Sequence, residues 1–195
     1  NSWEEGAMSI VIIQIPYFES QKKYILRQLS ETNYQYYILI PRSSDTNISV
    51  QFSNIHILTV DDWRLESVAT VVESIDASAI ISFSDRGVVL AAQLRDRFNL
   101  PGNTESIEKC VVDKYLMRLR LRSVGLTNIA FSITELDALE EGSEEFELPI
   151  ILKPMGLTGS ICVEKIETRD EIASYLRRCE NNAIFNCNKL LIEEV

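Results

Sequence analysis

The 195-residue chain has one histidine, four cysteines and no run of basic residues, and each shortage removes a class of function. Cys110, Cys162, Cys179 and Cys187 form no CxxC pair, and His56 alone cannot complete a zinc site of usual ligand spacing. The thiols are therefore expected to be reduced, buried, small apolar residues. Lys and Arg total 19 against 29 Asp and Glu, a formal net charge of −10 that no basic stripe interrupts. Such a chain is a poor partner for nucleic acid. A small polyanion such as ATP is not excluded, because a few cationic side chains and backbone N–H groups can converge locally.

Long apolar runs are missing as well. No stretch approaches the roughly 20 apolar residues that span a bilayer, and Asn1 to Gly6 is acidic where a signal peptide is basic. No membrane partner and a cytoplasmic location are expected. Residues 1–7 read as a tag or a disordered leader ahead of Met8. Two nucleotide signatures are also absent. No GxxxxGK[ST] loop occurs, and Pro16-Tyr17-Phe18 stands where a dinucleotide-binding GxGxxG would follow the first strand. That disfavours a nicotinamide-dependent oxidoreductase.

What is present is alternation. Ile10 to Ile15 is a near-continuous β-branched run, and Tyr36 to Ile40, Ile55 to Val60 and Ala79 to Phe83 repeat that character. Helical spacing lies between the first and second runs, around Tyr24 to Leu29, between the third and fourth, over Leu65 to Ile75, and after the fourth, over Val88 to Phe98. This order predicts a mostly parallel, Rossmann-like α/β sheet with helices on both faces, spanning residues 8–101. Pro101-Gly102-Asn103 marks a turn, and a second α+β unit is expected over 102–195. There the pattern predicts a helix over 104–123, a strand at 129–131, an acidic helix over 135–141 and a buried strand over 149–154. A strand at 161–163, a helix over 170–178 and a strand over 189–195 complete it.

The chemistry concentrates in the second unit. The apolar run from Pro149 ends on Lys153, and Gly156-Leu157-Thr158-Gly159-Ser160 follows as the tip of a hairpin. A glycine loop between antiparallel strands, preceded by a lysine, can fold over a triphosphate: glycine permits close backbone approach, amides donate to phosphate, and the ammonium supplies charge. Glycines at hairpin tips also serve plain turn geometry, so both readings stay open on this motif alone.

The succession Asp113-Lys114, Met117-Arg118, Gly125-Leu126, Leu148-Pro149 with Lys153-Pro154, the glycine loop, and Ile192-Glu193-Glu194-Val195 resembles the ATP-grasp superfamily. Within it the chain is most similar to carboxylate-amine ligases related to biotin carboxylase, carbamoyl phosphate synthetase and L-amino-acid ligases. The resemblance implies a pre-ATP-grasp domain over 8–101 followed by a truncated nucleotide-binding subdomain over 102–195. It implies that Lys114 and Lys153 contact ATP phosphates and that Gly156, Thr158, Gly159 and Ser160 close over them. Glu193, Glu194 and Val195 match the hinge strand at adenine, with Ile151 and Ile192 as floor residues. Reaction through an acylphosphate with an amine or thiol is implied, on a small carboxylate such as an amino acid. The Mg2+ ligands are expected beyond residue 195, so the chain alone is expected to be inactive, either as a fragment of a longer protein or as half of a split enzyme, with a homodimer or a complementing C-terminal chain as the assembly. The alternative is a non-catalytic nucleotide-binding or interaction module on the same fold.

Ser82-Phe83-Ser84-Asp85-Arg86 follows a predicted strand at its carboxyl end, where open α/β sheets take ligands, although a helix cap at Ser84 or Asp85 explains it more cheaply. The acidic run Glu140 to Glu145 reads as a solvated loop, and His56 as structural.

Overall fold

A computed structural model describes residues 8–16, 18–42, 52–157, 159–183, 185 and 187–195. Residues 1–7, Tyr17 and Thr158, all named above, lie outside the described residues. The chain divides into two compact units, Asn1–Glu108 and Lys109–Val195.

In the first unit, β1 (Ser9–Ile13), α1 (Glu19–Ser30), β2 (Gln35–Pro41), β3 (Ile55–Val60), α2 (Leu65–Glu73), β4 (Ala79–Ile81) and α3 (Asp85–Phe98) follow in order. The sheet order is β3-β2-β1-β4 and every pairing is parallel. Both faces are apolar because both are covered. Ile12, Ile38 and Ile40 meet Leu26 and Leu29 of α1, while Val11, Ile13 and Leu39 meet Val68 and Val72 of α2 and Leu90 and Leu94 of α3. Alternate residues of one strand thus feed two different cores. Buried Arg95 fastens the exit from this unit: it donates to the carbonyls of Ile80 at 2.9 Å and Asn103 at 2.9 Å and pairs with Glu108 at 3.0 Å.

The helix expected over 104–123 is two helices, α4 (Glu105–Val112) and α5 (Lys114–Ser123). Asp113 causes the break. Its backbone is extended, and its carboxylate accepts from the N–H groups of Tyr115 (2.9 Å) and Leu116 (3.0 Å), capping α5. Then come β5 (Phe131–Glu135), a 3-10 turn (Leu136–Ala138), α6 (Leu139–Ser143), β6 (Ile150–Pro154), β7 (Glu164–Ile166), α7 (Asp170–Glu180) and β8 (Lys189–Glu194). The strand expected at 129–131 begins only at Phe131, and the one expected at 161–163 is displaced to β7. Ser160 (φ 58°) and Cys162 (φ 53°) are left-handed, which keeps the hairpin tip turning for longer than its apolar residues suggested.

This second sheet is antiparallel, in the order β5-β8-β6-β7. Ile150, Leu152, Leu190, Ile192 and Ile166 pack on one side against Ile172, Tyr175 and Cys179 of α7. The cysteines only partly follow the expectation of burial: Cys179 is buried, with its thiol pushed up to about 12 chiefly by desolvation, whereas Cys110, Cys162 and Cys187 are half-buried. Among the described residues no helix is long and apolar enough to cross a membrane.

Candidate functional site

Strand alternation sends Ile151, Lys153, Leu191 and Glu193 to the face of the second sheet opposite its core. Ile151 is registered directly opposite Glu193, so Lys153, two residues on, is the diagonal neighbour of Glu193. Their side chains form an ion pair. Helix α5 meets the same face: Tyr115 packs edge-on against Phe131 at 5.6 Å between centroids, and the Arg122 guanidinium lies 3.9 Å over that ring. Phe131 is itself registered opposite Glu193.

Arg118, one helical turn beyond Lys114, reaches Glu193 with both arms of its fork: Nε donates to Oε1 at 2.6 Å and an Nη donates to Oε2 at 2.9 Å. The Glu193 side chain is 3% exposed, against 17% for Arg118 and 22% for Lys153. Burial pulls the Glu193 carboxyl upward, but the hydrogen bonds and charges of Arg118 and Lys153 outweigh it and hold the group below its ordinary value. The same bond to Glu193 raises Arg118 above its usual range.

Lys114 opens α5, and its Nζ donates to the carbonyls of Pro154 (3.1 Å) and Leu157 (2.6 Å). It therefore spans the entry to the glycine hairpin. Gly156 (φ 78°) and Gly159 (φ 68°) have left-handed backbones with open space where a Cβ would stand. The loop needs glycine for its turns and presents bare backbone.

Lys114, Lys153, Gly156, Gly159 and Ser160 thus belong to one hairpin and the helix beside it. Glu193 lies with them, but its carboxylate faces the two cations. Glu194 is exposed, its N–H committed to the carbonyl of Ala130 at 3.0 Å, and Val195 is 70% exposed beyond it. Ile151 shares the site face, whereas Ile192 lies in the opposite core. Arg118 is the residue that sequence reasoning left out of the site; its spacing of four from Lys114 on a helix was the available signal.

A cavity of about 770 Å³ lies in the first unit, at the carboxyl ends of β1 and β4, where the strand order reverses direction. Pro16, Phe18, Tyr24, Phe83, Ser84 and Asp85 are among its walls, so part of the Ser82 to Arg86 segment faces it. Ser84 is the extended N-cap residue of α3, as the capping alternative has it, but its side chain makes no cap hydrogen bond. Among the described residues no cluster of three His, Cys, Asp or Glu side chains could hold a metal ion.

No family model matches the chain, and no curated protein does either. Solved structures match across nearly all of it. An L-amino acid ligase from Bacillus licheniformis aligns with a TM-score of 0.70 at 14% identity, over 96% of this chain and 44% of the ligase. An N5-carboxyaminoimidazole synthetase from Staphylococcus aureus complexed with ADP gives 0.64 at 13%, over 96% and 46%. The biotin carboxylase of a β,γ-ATP complex from Campylobacter jejuni gives 0.64 at 15%, over 100% and 46%. The chain spans less than half the length of each of these proteins. Across nearly all of its length the chain has the fold of part of each of these structures.

Proposed function

We propose that this chain is the N-terminal, nucleotide-binding part of an ATP-dependent ligase that joins a small carboxylate to an amine or thiol through an acylphosphate. Residues 8–101 serve as the pre-ATP-grasp domain and 102–195 as the first nucleotide-binding subdomain, in a cytoplasmic protein. The observation that carries this reading is the convergence of Lys114 and Lys153 on one glycine hairpin, on the coreless face of an antiparallel sheet.

Lys114 and Lys153 hold the phosphates, and the bare backbone of Gly156 and Gly159, together with Thr158 and Ser160, closes over them. The end of β8, from Glu193 to Val195, meets the adenine edge through its main chain, because the Glu193 carboxylate is engaged by Arg118 and Lys153. Bound Mg2+ neutralises the transferring phosphate in reactions of this kind. Its ligands are assigned to a complementing C-terminal part.

Titration calorimetry with ATP tests the reading on the chain itself. Lys153→Ala and Lys114→Ala are each expected to weaken binding by at least about tenfold, as loss of one charge-assisted contact to phosphate requires. Unchanged ATP affinity in both variants overturns the assignment.

A further inference from the structure

Lys153 is held by Glu193 in this structure, yet the proposed function needs it on a phosphate. Moving that ammonium away would ordinarily strand a carboxylate that is 3% exposed. Arg118 removes the difficulty. Its fork covers both oxygens of Glu193, at 2.6 Å and 2.9 Å, so the carboxylate stays paired when Lys153 leaves.

We infer that Arg118 is a positioning residue that frees Lys153 for an incoming polyphosphate: it keeps Glu193 neutralised while Lys153 exchanges its carboxylate partner for a phosphate oxygen. The inference rests on the nucleotide-binding reading and adds to it a mechanism for charge exchange. Arg118 acts through Glu193 and touches no ligand atom. Bidentate geometry is what the role requires, because a point charge satisfies one oxygen and leaves the other calling for Lys153. The fork lies along the carboxylate on the α5 side, while Lys153 approaches from the neighbouring strand, so departure of the lysine leaves the Arg118 contacts in place.

A double-mutant cycle separates this role from a merely structural one and from direct contact with the anion. The probe is inorganic tripolyphosphate, titrated calorimetrically into the full chain, with far-UV circular dichroism confirming that each variant is folded. R118M is expected to weaken binding by at least about tenfold, because Lys153 then becomes the only counter-ion of Glu193. E193Q is expected to bind at least as tightly as the parent, its Lys153 having been released. The deciding variant is R118M/E193Q, which carries no buried anion and is expected to return to within about threefold of E193Q. A direct phosphate contact by Arg118 would leave the double variant as weak as R118M, and that result overturns the inference while leaving the functional reading intact. Parent protein that binds neither tripolyphosphate nor ATP overturns both. Should R118M fail to fold, R118K replaces it in the cycle, with the same sign expected at smaller amplitude because one ammonium still holds one oxygen; an R118K that binds like the parent counts against the fork.

Discussion

Gly87→Ala sets two effects of opposite sign against each other. The glycine lies inside α3, where alanine is favoured by about 1 kcal/mol. A Cβ at this position, however, would stand 2.5 Å from the Ser82 hydroxyl oxygen and 3.2 Å from Cγ2 of Ile13, and closer than either to the Ile13 carbonyl oxygen. That carbonyl belongs to the end of β1, which is paired on both sides by β2 and β4 and cannot yield alone. The Ser82 hydroxyl cannot simply rotate away either, since it donates to the same carbonyl at 2.7 Å and accepts from the Ser84 N–H at 3.1 Å. Overpacking against fixed backbone costs about 3 kcal/mol, so the net change is a loss of about 2 kcal/mol. For a unit of this size that lowers the midpoint of thermal unfolding by roughly 10 °C. Trp63 packs against the first-unit core, and its fluorescence in a W3F background reports that transition. An unchanged or raised midpoint would refute the close approach of α3 to β1.

Asp113→Ala removes the acceptor for the Tyr115 and Leu116 N–H groups, and α5 is expected to lose about 1 kcal/mol, read as faster hydrogen exchange of those two amides. Asp113→Asn, which can still cap, is expected to exchange like the parent; equal acceleration in both would point away from capping. Acid should also weaken the second sheet. The folded carboxyl of Glu193 titrates below its ordinary value, so its stabilisation is complete above that ordinary value and is lost as pH falls through the folded one. Hydrogen exchange at the Glu194 amide, which bonds to Ala130, should show this loss in the parent and not in E193Q. A matching acid response in E193Q would assign it to another carboxylate.

The parallel sheet was legible because its strands are covered on both faces, so Ile10 to Ile13 and Tyr36 to Ile40 read as unbroken apolar runs flanked by helical spacing. The break at Asp113 was not, since an apolar period of helical spacing continues across it and only the local hydrogen bonds of a cap interrupt the backbone. The local pattern ends a strand at Phe131 where β5 begins; the pairing of β5 with β8 sets that boundary, and such long-range pairing leaves no local mark. In the site, Lys153 stood out as a charge ending an apolar strand. Arg118 did not, because helix α5 carries Lys114, Arg118, Arg120 and Arg122, and composition does not tell which of them faces a carboxylate 75 residues away.

The acidity of the chain bears on how a polyphosphate reaches this site. A formal charge of −10 repels an anion at long range, whereas the cations Lys114, Arg118 and Lys153 beside the hairpin attract it at short range. Salt acts differently on the two. At about 0.01 M ionic strength the Debye length is roughly 30 Å and the whole molecule is felt; at about 0.15 M it is roughly 8 Å and only the local cations are. The association rate of tripolyphosphate, followed by stopped flow, is therefore expected to rise with salt at first, as the net repulsion is screened, and then to fall as the local attraction is screened too. A rate that falls steadily from the lowest ionic strength would mean that the three cations already govern the approach at long range, and that the acidic surface is turned away from the hairpin.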